Sequence, residues 1–269
     1  LTYTASIDRE DFIITANDDD GAGSNLPIVT ANNVISDILA TQLVFSVVPS
    51  GSVSGQPFVT QPIVVARDSL GGLDTDFTDV LTLSEDGDGS LSNANVQTVN
   101  GVGTFNDLIY TTAVDGASFH ITVDDEAGGN EGDLDPVRVG PLTSDIAATR
   151  LVFSIQPSGS TSGKPLSTQP MIIALDDSGR VDANFSETIT LTLSQGTGRL
   201  YNVAAQAVNG VAAFSNLLYV AGADGETFIV SANDQDDVGS NLPSLLSVSV
   251  ARDILATQLV FETQPSGAV

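Results

Sequence analysis

The sequence has no cysteine and no tryptophan, and only one lysine (Lys164), one histidine (His120) and one methionine (Met171) in 269 residues. Without cysteine there are no disulfides, no thiolate chemistry and no cysteine-based zinc sites. Basic residues are scarce as well: Lys and Arg total 8 against 34 Asp and Glu, for a net charge of −26. That balance excludes nucleic acid as a partner, because phosphates are held by Lys and Arg. It equally disfavours an anionic membrane surface. It suits divalent cations, or an extracellular or high-salt setting in which net charge keeps a protein soluble. No signal peptide and no membrane-spanning apolar run is visible, so no membrane insertion is expected of this segment. Leu1 is not an initiator Met, and the expectation is that the gene product starts upstream.

The same scarcities argue against an enzyme. A Ser-His-Asp triad would depend on His120, whose aligned position one repeat later is Ile229. His120 lies between Phe119 and Ile121 in an alternating stretch and is read as solvent-facing. No G-x-S-x-G elbow occurs; "GSVSG" (51–55) has Val at its centre. Paired carboxylates could hydrolyse glycosides, but such clefts are lined with aromatics, which are only 6% of this chain.

What the chain does contain is an internal repeat, the feature to seek first. "ATQLVF" at 40–45 returns as "ATRLVF" at 148–153 and "ATQLVF" at 256–261, 108 residues apart each time. "PSGSVSGQPFVTQP" (49–62) matches "PSGSTSGKPLSTQP" (157–170), and "VNGVGTFNDLIY" (99–110) matches "VNGVAAFSNLLY" (208–219). The expected organisation is the C-terminal part of a repeat at 1–39, complete repeats at 40–147 and 148–255, and the first strand of another at 256–269. Two arrangements follow: a window of a longer tandem array, or a subunit that docks head to tail onto copies of itself.

Within a repeat the apolar period is two. "TQLVFSVV", "QPIVVARD", "DVLTLS", "VQTVNGVGTF", "SFHITVDD" and "PVRVGPL" read as short strands rich in Val, Ile, Thr and Phe, separated by Gly, Asn, Asp, Ser and Pro. About seven strands per repeat indicate an all-β fold of tandem immunoglobulin-like antiparallel β-sandwiches. The recurring Tyr3, Tyr110 and Tyr219 are read as core residues.

The pattern "ATQLVF…QPSG…TQP…NGV" resembles the bacterial immunoglobulin-like (Big-type) tandem repeats of large surface adhesins and extracellular fibres. That resemblance implies non-enzymatic spacer or stalk domains at the cell surface or outside the cell. Many immunoglobulin-type domains place a Tyr near the start of strand F to tie a corner; Phe12, Phe119 and Phe228 stand there instead. "IDREDF" (7–12) followed by "ITANDDDG" (14–21) is locally similar to cadherin repeats, whose acidic motifs bind calcium between domains.

In such a sandwich the B–C and F–G loops share one end, and they face the linker and E–F turn of the preceding repeat. The acids concentrate there. The B–C loops carry Asp68, Asp74 and Asp76, then Asp176, Asp177 and Asp182. The F–G loops carry Asp18, Asp19 and Asp20; then Asp124, Asp125, Glu126, Glu131, Asp133 and Asp135; then Asp234, Asp236 and Asp237. The linkers contribute Asp37, Asp145 and Asp253, and the E–F turns Asp8, Asp115 and Asp224. Clustered carboxylates repel one another, and Ca²⁺, which takes six to eight oxygens with tolerant geometry, relieves that repulsion better than Mg²⁺. The expectation is a structural protein with Ca²⁺ at its junctions, contacting neighbouring repeats or copies of itself. The alternative is an adhesin module that recognises a host protein or glycan. "EDGDGS" (85–90) is read as a turn, because its counterpart "SQGTGR" (194–199) has no acid.

Overall fold

The computed structural model describes residues 1–18, 26–126, 132–234, 241–264 and 266–267. Among these residues there are strands and turns but no helix. The chain divides into two compact units, Leu1–Asp145 and Ile146–Val269.

The first unit begins with four short strands. β1 (Glu10–Phe12) pairs with β4 (Val34–Ser36), and β2 (Thr15–Ala16) with β3 (Val29–Thr30), all antiparallel. A full sandwich follows. Its strands are β5 (Gln42–Val47), β6 (Ser52–Val53), β7 (Ile63–Arg67), β8 (Val80–Glu85), β9 (Ser90–Ser92), β10 (Asn95–Gln97), β11 (Val102–Thr104), β12 (Ile109–Thr111), β13 (Ala117–Asp124) and β14 (Val137–Asp145). One sheet has the order β11-β7-β5 and the facing sheet β10-β8-β13-β14-β6. These correspond to strands E-B-A and C′-C-F-G-A′ of an immunoglobulin-like sandwich. β6 pairs parallel with β14, so the first strand changes sheets after β5. Period-two patterning sets the inward faces: in β13, Ala117, Phe119, Ile121 and Val123 are buried and alternate with more exposed residues.

The second unit repeats this element order. β15 (Arg150–Ile155), β17 (Met171–Leu175) and β21 (Val211–Ala213) form one sheet. The other contains β16 (Ser160–Thr161), β25 (Val250–Asp253), β23 (Thr227–Asn233), β18 (Thr188–Gln195) and β20 (Ala204–Gln206), with β24 (Leu245–Leu246) also on β23. β19 (Arg199–Tyr201) pairs with β22 (Leu218–Val220), as β9 does with β12.

In both cores the repeated Tyr stacks on the Phe of strand F. Tyr110 lies 3.8 Å from Phe119 and Tyr219 lies 4.1 Å from Phe228, ring centre to ring centre. All four are fully buried. Tyr3 stacks on Phe12 in the same way at 3.9 Å, although it is half exposed.

Two sequence expectations change. "VQTVNGVGTF" is not one strand but two, β10 and β11, separated by a tight hairpin. Asn100 and Asn209 have φ of 52° and 51°, and the following Gly101 and Gly210 have 71° and 76°. Two consecutive positive φ values at Asn-Gly define the mirror-image turn that matches strand twist. Val99 and Val102 close it with reciprocal amide–carbonyl bonds of 2.9 and 3.1 Å. At the other end, residues 256–264 repeat the motif of β5 and β15 but form no strand, and Leu259, Val260 and Phe261 are exposed. β5 and β15 each pair with a strand that follows them, β7 and β17; among the described residues none pairs with 256–264.

Candidate functional site: the acidic loops and the linker

In the first unit the acids meet around linker 37–41. Asp8 is buried. Its Oδ1 accepts the amides of Arg9 and Ile38, both at 2.8 Å, and its Oδ2 accepts the Thr75 amide at 2.9 Å and the Thr75 hydroxyl at 2.5 Å. Asp74 is fully buried. Its Oδ2 accepts the Ala40 amide at 2.8 Å, and its Oδ1 accepts the Phe77 and Asp76 amides at 2.9 and 3.2 Å. Two linker amides are thus held by carboxylates from opposite sides of the linker, one preceding it in sequence and one following. Asp76 Oδ2 pairs with Arg9 at 2.7 Å, and its Oδ1 is buried without a partner.

These contacts set the protonation equilibria. Burial pushes Asp8 upward, but the Thr75 hydroxyl and the three amides outweigh it and hold the carboxyl below its usual range. Asp74 is raised, by burial first and then by the neighbouring Asp76. Asp37 is raised by desolvation, then by the charges of Asp76 and Asp8.

The hairpin positions this loop. A Cβ at Gly101 would sit 1.9 Å from the Asp74 carbonyl oxygen, and one at Gly210 would sit 2.3 Å from that of Asp182. Only glycine permits such approach, quite apart from its positive φ.

The second unit uses its acids alike. Asp182 accepts Ala148 and Phe185 amides, each at 2.8 Å, as Asp74 accepts Ala40 and Phe77. Asp224 accepts the Ile254 amide at 2.9 Å, as Asp8 accepts Ile38. Asp176 is paired with Arg180 at 2.7 Å and accepts its amide at 2.8 Å, which lowers its carboxyl against the effect of burial. Asp68, the corresponding residue of the first sandwich, caps its own turn through the Leu70 and Gly72 amides. Asp177 accepts the Thr149 hydroxyl at 2.6 Å. Asp115 is half-buried in its E–F turn, and Asp145 ends β14 with its carbonyl accepting the Ser54 amide.

The F–G loops share one device. Asp18, Asp125 and Asp234 accept the amides of Leu26, Leu134 and Leu242 respectively, at 2.7, 3.2 and 2.9 Å. Each closes its loop onto the start of strand G. Asp19, Asp20, Glu131, Asp236 and Asp237 lie outside the described residues.

Among the described residues, two trios place carboxylate oxygens within 4.8 Å of one another: Asp8, Asp74 and Asp76; and Asp124, Asp125 and Asp133. They differ in fitness for a cation. At Asp8 four donors occupy two oxygens, so a metal there would have to displace amides. The second trio is less loaded. Asp124 accepts the Glu126 amide at 3.1 Å through Oδ1, and both oxygens of Asp125 share one amide. Asp125 is raised by burial, then by Asp124 and Asp133, against the Leu134 amide. That is an acceptor-rich site with uncompensated repulsion, the donor set a hard dication takes. Asp68, Asp176 and Asp177 join neither trio.

Sequence reasoning missed Thr75, whose hydroxyl and amide both reach Asp8, and the Arg9–Asp76 pair. The signal for the linker clamp was present in the recurring Asp-Ile (Asp37-Ile38, Asp145-Ile146, Asp253-Ile254), which starts three residues ahead of each Ala-Thr. His120 is half-exposed, as expected, beside Asp86 at 3.3 Å, and Arg138 contacts both.

No family model and no curated protein matches the chain. Similar solved structures share the fold alone. The FN1–FN3 domains of chicken CNTN1 match at 8% identity and TM-score 0.40, over 79% of this chain; the chain spans 65% of that fragment. Mouse protocadherin-24 EC1–3 matches at 14% identity and 0.32, over 91% of this chain and 80% of that one. The D0–D1 domain of intimin matches at 13% and 0.25, over 77% and 98%. The class defined by sheet order and core is an all-β immunoglobulin-like sandwich protein.

Proposed function

We propose that the chain is a structural protein: tandem immunoglobulin-like repeats of an extracellular fibre or cell-surface stalk, with Ca²⁺ bound in the acidic loops. The observation that carries this reading is the linker clamp, in which Ile38 and Ala40 are held by Asp8 and Asp74. A linker tied on both sides is what a load-bearing connection between repeats needs, and a flexible tether would not spend buried carboxylates on it. Surroundings low in Lys and Arg leave Asp124, Asp125 and Asp133 for a dication. Those residues would hold the ion, which supplies charge neutralisation and fixes the F–G loop. Asp8 and Asp74 act without metal, as acceptors for backbone amides.

Titration calorimetry with CaCl₂ at neutral pH tests the assignment. Ca²⁺ should bind, and the double substitution D124N/D133N should abolish binding to that site, while D76N leaves it intact. Absence of binding heat, or binding lost with D76N instead, contradicts it. Electron micrographs of the native material test the fibre or stalk.

A further inference from the structure

The two sandwiches are near-copies, and one place where they differ is the cleft where strand A′ meets the end of strand G. In the second sandwich this cleft, about 420 Å³, is bounded by Gly159, Ser160, Thr161, Ser167, Arg252 and Asp253, along with Ala251. Its counterpart in the first, about 200 Å³, is bounded by Ser52, Phe58 and Leu142 among others. Aligning the repeats, Thr161 stands where the first has Val53, Ser167 where it has Val59, and Arg252 where it has Ser144. Two of these exchanges replace Val by a hydroxyl side chain, and the third replaces a Ser by a longer guanidinium donor.

The exchange at Arg252 leaves donors without acceptors. In the first sandwich Ser52 Oγ donates to Ser144 Oγ at 3.1 Å, so the pair satisfies itself. In the second, Ser160 Oγ, Arg252 Nε and Arg252 Nη1 are all buried with no partner. Ser160 and Arg252 are directly paired across the two strands. The Arg252 side chain is 0% exposed, and its Nη2 donates to the Ala223 carbonyl. Glu226, which replaces Ala117, is the nearest carboxylate, 3.9 Å from Nε. Its oxygens are already claimed by the Tyr219 hydroxyl at 2.8 Å, the Thr197 hydroxyl at 2.5 Å and the Gly222 amide at 3.2 Å. Buried donors left unmade are costly, and a native site of this kind calls for an acceptor.

We propose that this cleft of the second sandwich binds a neutral, polyhydroxylated ligand, a saccharide unit, through Ser160, Thr161, Ser167, Arg252 and Asp253. Three hydroxyls and a guanidinium donate, and Asp253 accepts, a mixture that matches vicinal sugar hydroxyls. An anion is disfavoured, because Asp253 lines the cleft, Glu226 offsets Arg252 and the chain carries −26. Nothing here depends on calcium, and the test leaves the Asp124 site untouched.

The test is an amide NMR titration of the isotope-labelled whole chain with D-galactose, D-mannose and N-acetyl-D-glucosamine, taken well above about 1 mM, and separately with sodium acetate and sodium phosphate. At least one saccharide should move the signals of Ser160, Thr161 and Ala251 while those of Ser52 and Thr143 stay. R252S, which restores the residue of the first sandwich, should weaken that response roughly tenfold or more. S160A removes a single hydroxyl and serves if R252S does not fold. Silence with all three saccharides overturns the proposal. So does an equal or stronger response to acetate or phosphate, or a response unchanged in S160A and R252S.

Discussion

At the scale of single residues, the buried acids act chiefly as acceptors for backbone amides. Asp74→Ala would leave the Ala40 and Phe77 amides without acceptors in a fully buried place. Each such loss costs about 1–3 kcal/mol, so chemical denaturation should show a large fall in the stability of the first unit. A change within error would remove the linker clamp from the account. The tyrosines offer a paired test. Tyr219 Oη donates to Glu226 and accepts the Gly198 amide, both at 2.8 Å, whereas Tyr110 Oη has no carboxylate to donate to, because Ala117 stands where the second sandwich has Glu226. Tyr219→Phe should therefore lower the melting temperature and Tyr110→Phe should not. Equal effects would mean the stacked rings, not the hydroxyl, carry the contribution.

At the scale of elements, the Asn-Gly hairpins and the F–G loop clamps fix where the acids stand. Gly101→Ala adds a Cβ against the Asp74 carbonyl at a positive φ, so it should destabilise by more than the roughly 1 kcal/mol of a propensity change, read by thermal melting. Strand identity was legible in the sequence because alternation places Phe119, Ile121 and Val123 on one face. The hairpin was not read, because Val99, Val102 and Thr104 continue the β-rich composition across Asn100-Gly101. The acidic loops were also legible, as clustered charge at fixed positions in the repeat. Their division of labour was not. Whether an Asp oxygen meets an amide or stands free depends on loop geometry, and Asp8 and Asp124 look alike until Thr75 and Ile38 are placed beside the first. The Glu226–Arg252 pair was equally hidden, since it appears only when Ala117 and Ser144 are seen to be its counterparts.

For the molecule as a whole, opposing groups shape stability against pH. Asp37, Asp74 and Asp125 are raised in the fold, so their protonation favours the folded state and stability should rise as pH falls from neutral through their folded values. Asp8 and Asp176 are lowered, and Glu226 is held at about 2 by the Thr197 and Tyr219 hydroxyls. Their contribution is present above the usual carboxylate range and is lost as pH drops through their folded values. The melting temperature should pass through a maximum at mildly acidic pH; a steady decline from neutral pH downward would contradict these directions. Calcium should move that maximum, because a dication relieves at neutral pH the repulsion that protons relieve in acid.

The central claim is therefore tested most directly by melting the chain at neutral pH with excess Ca²⁺ and with a chelator. An ion at about a hundred times its dissociation constant stabilises by about 2.7 kcal/mol, which for a domain of this size is a rise of roughly 10 °C or more. A clear rise with Ca²⁺, absent in D124N/D133N, is the expected result. Identical melting curves with calcium and with chelator would contradict it.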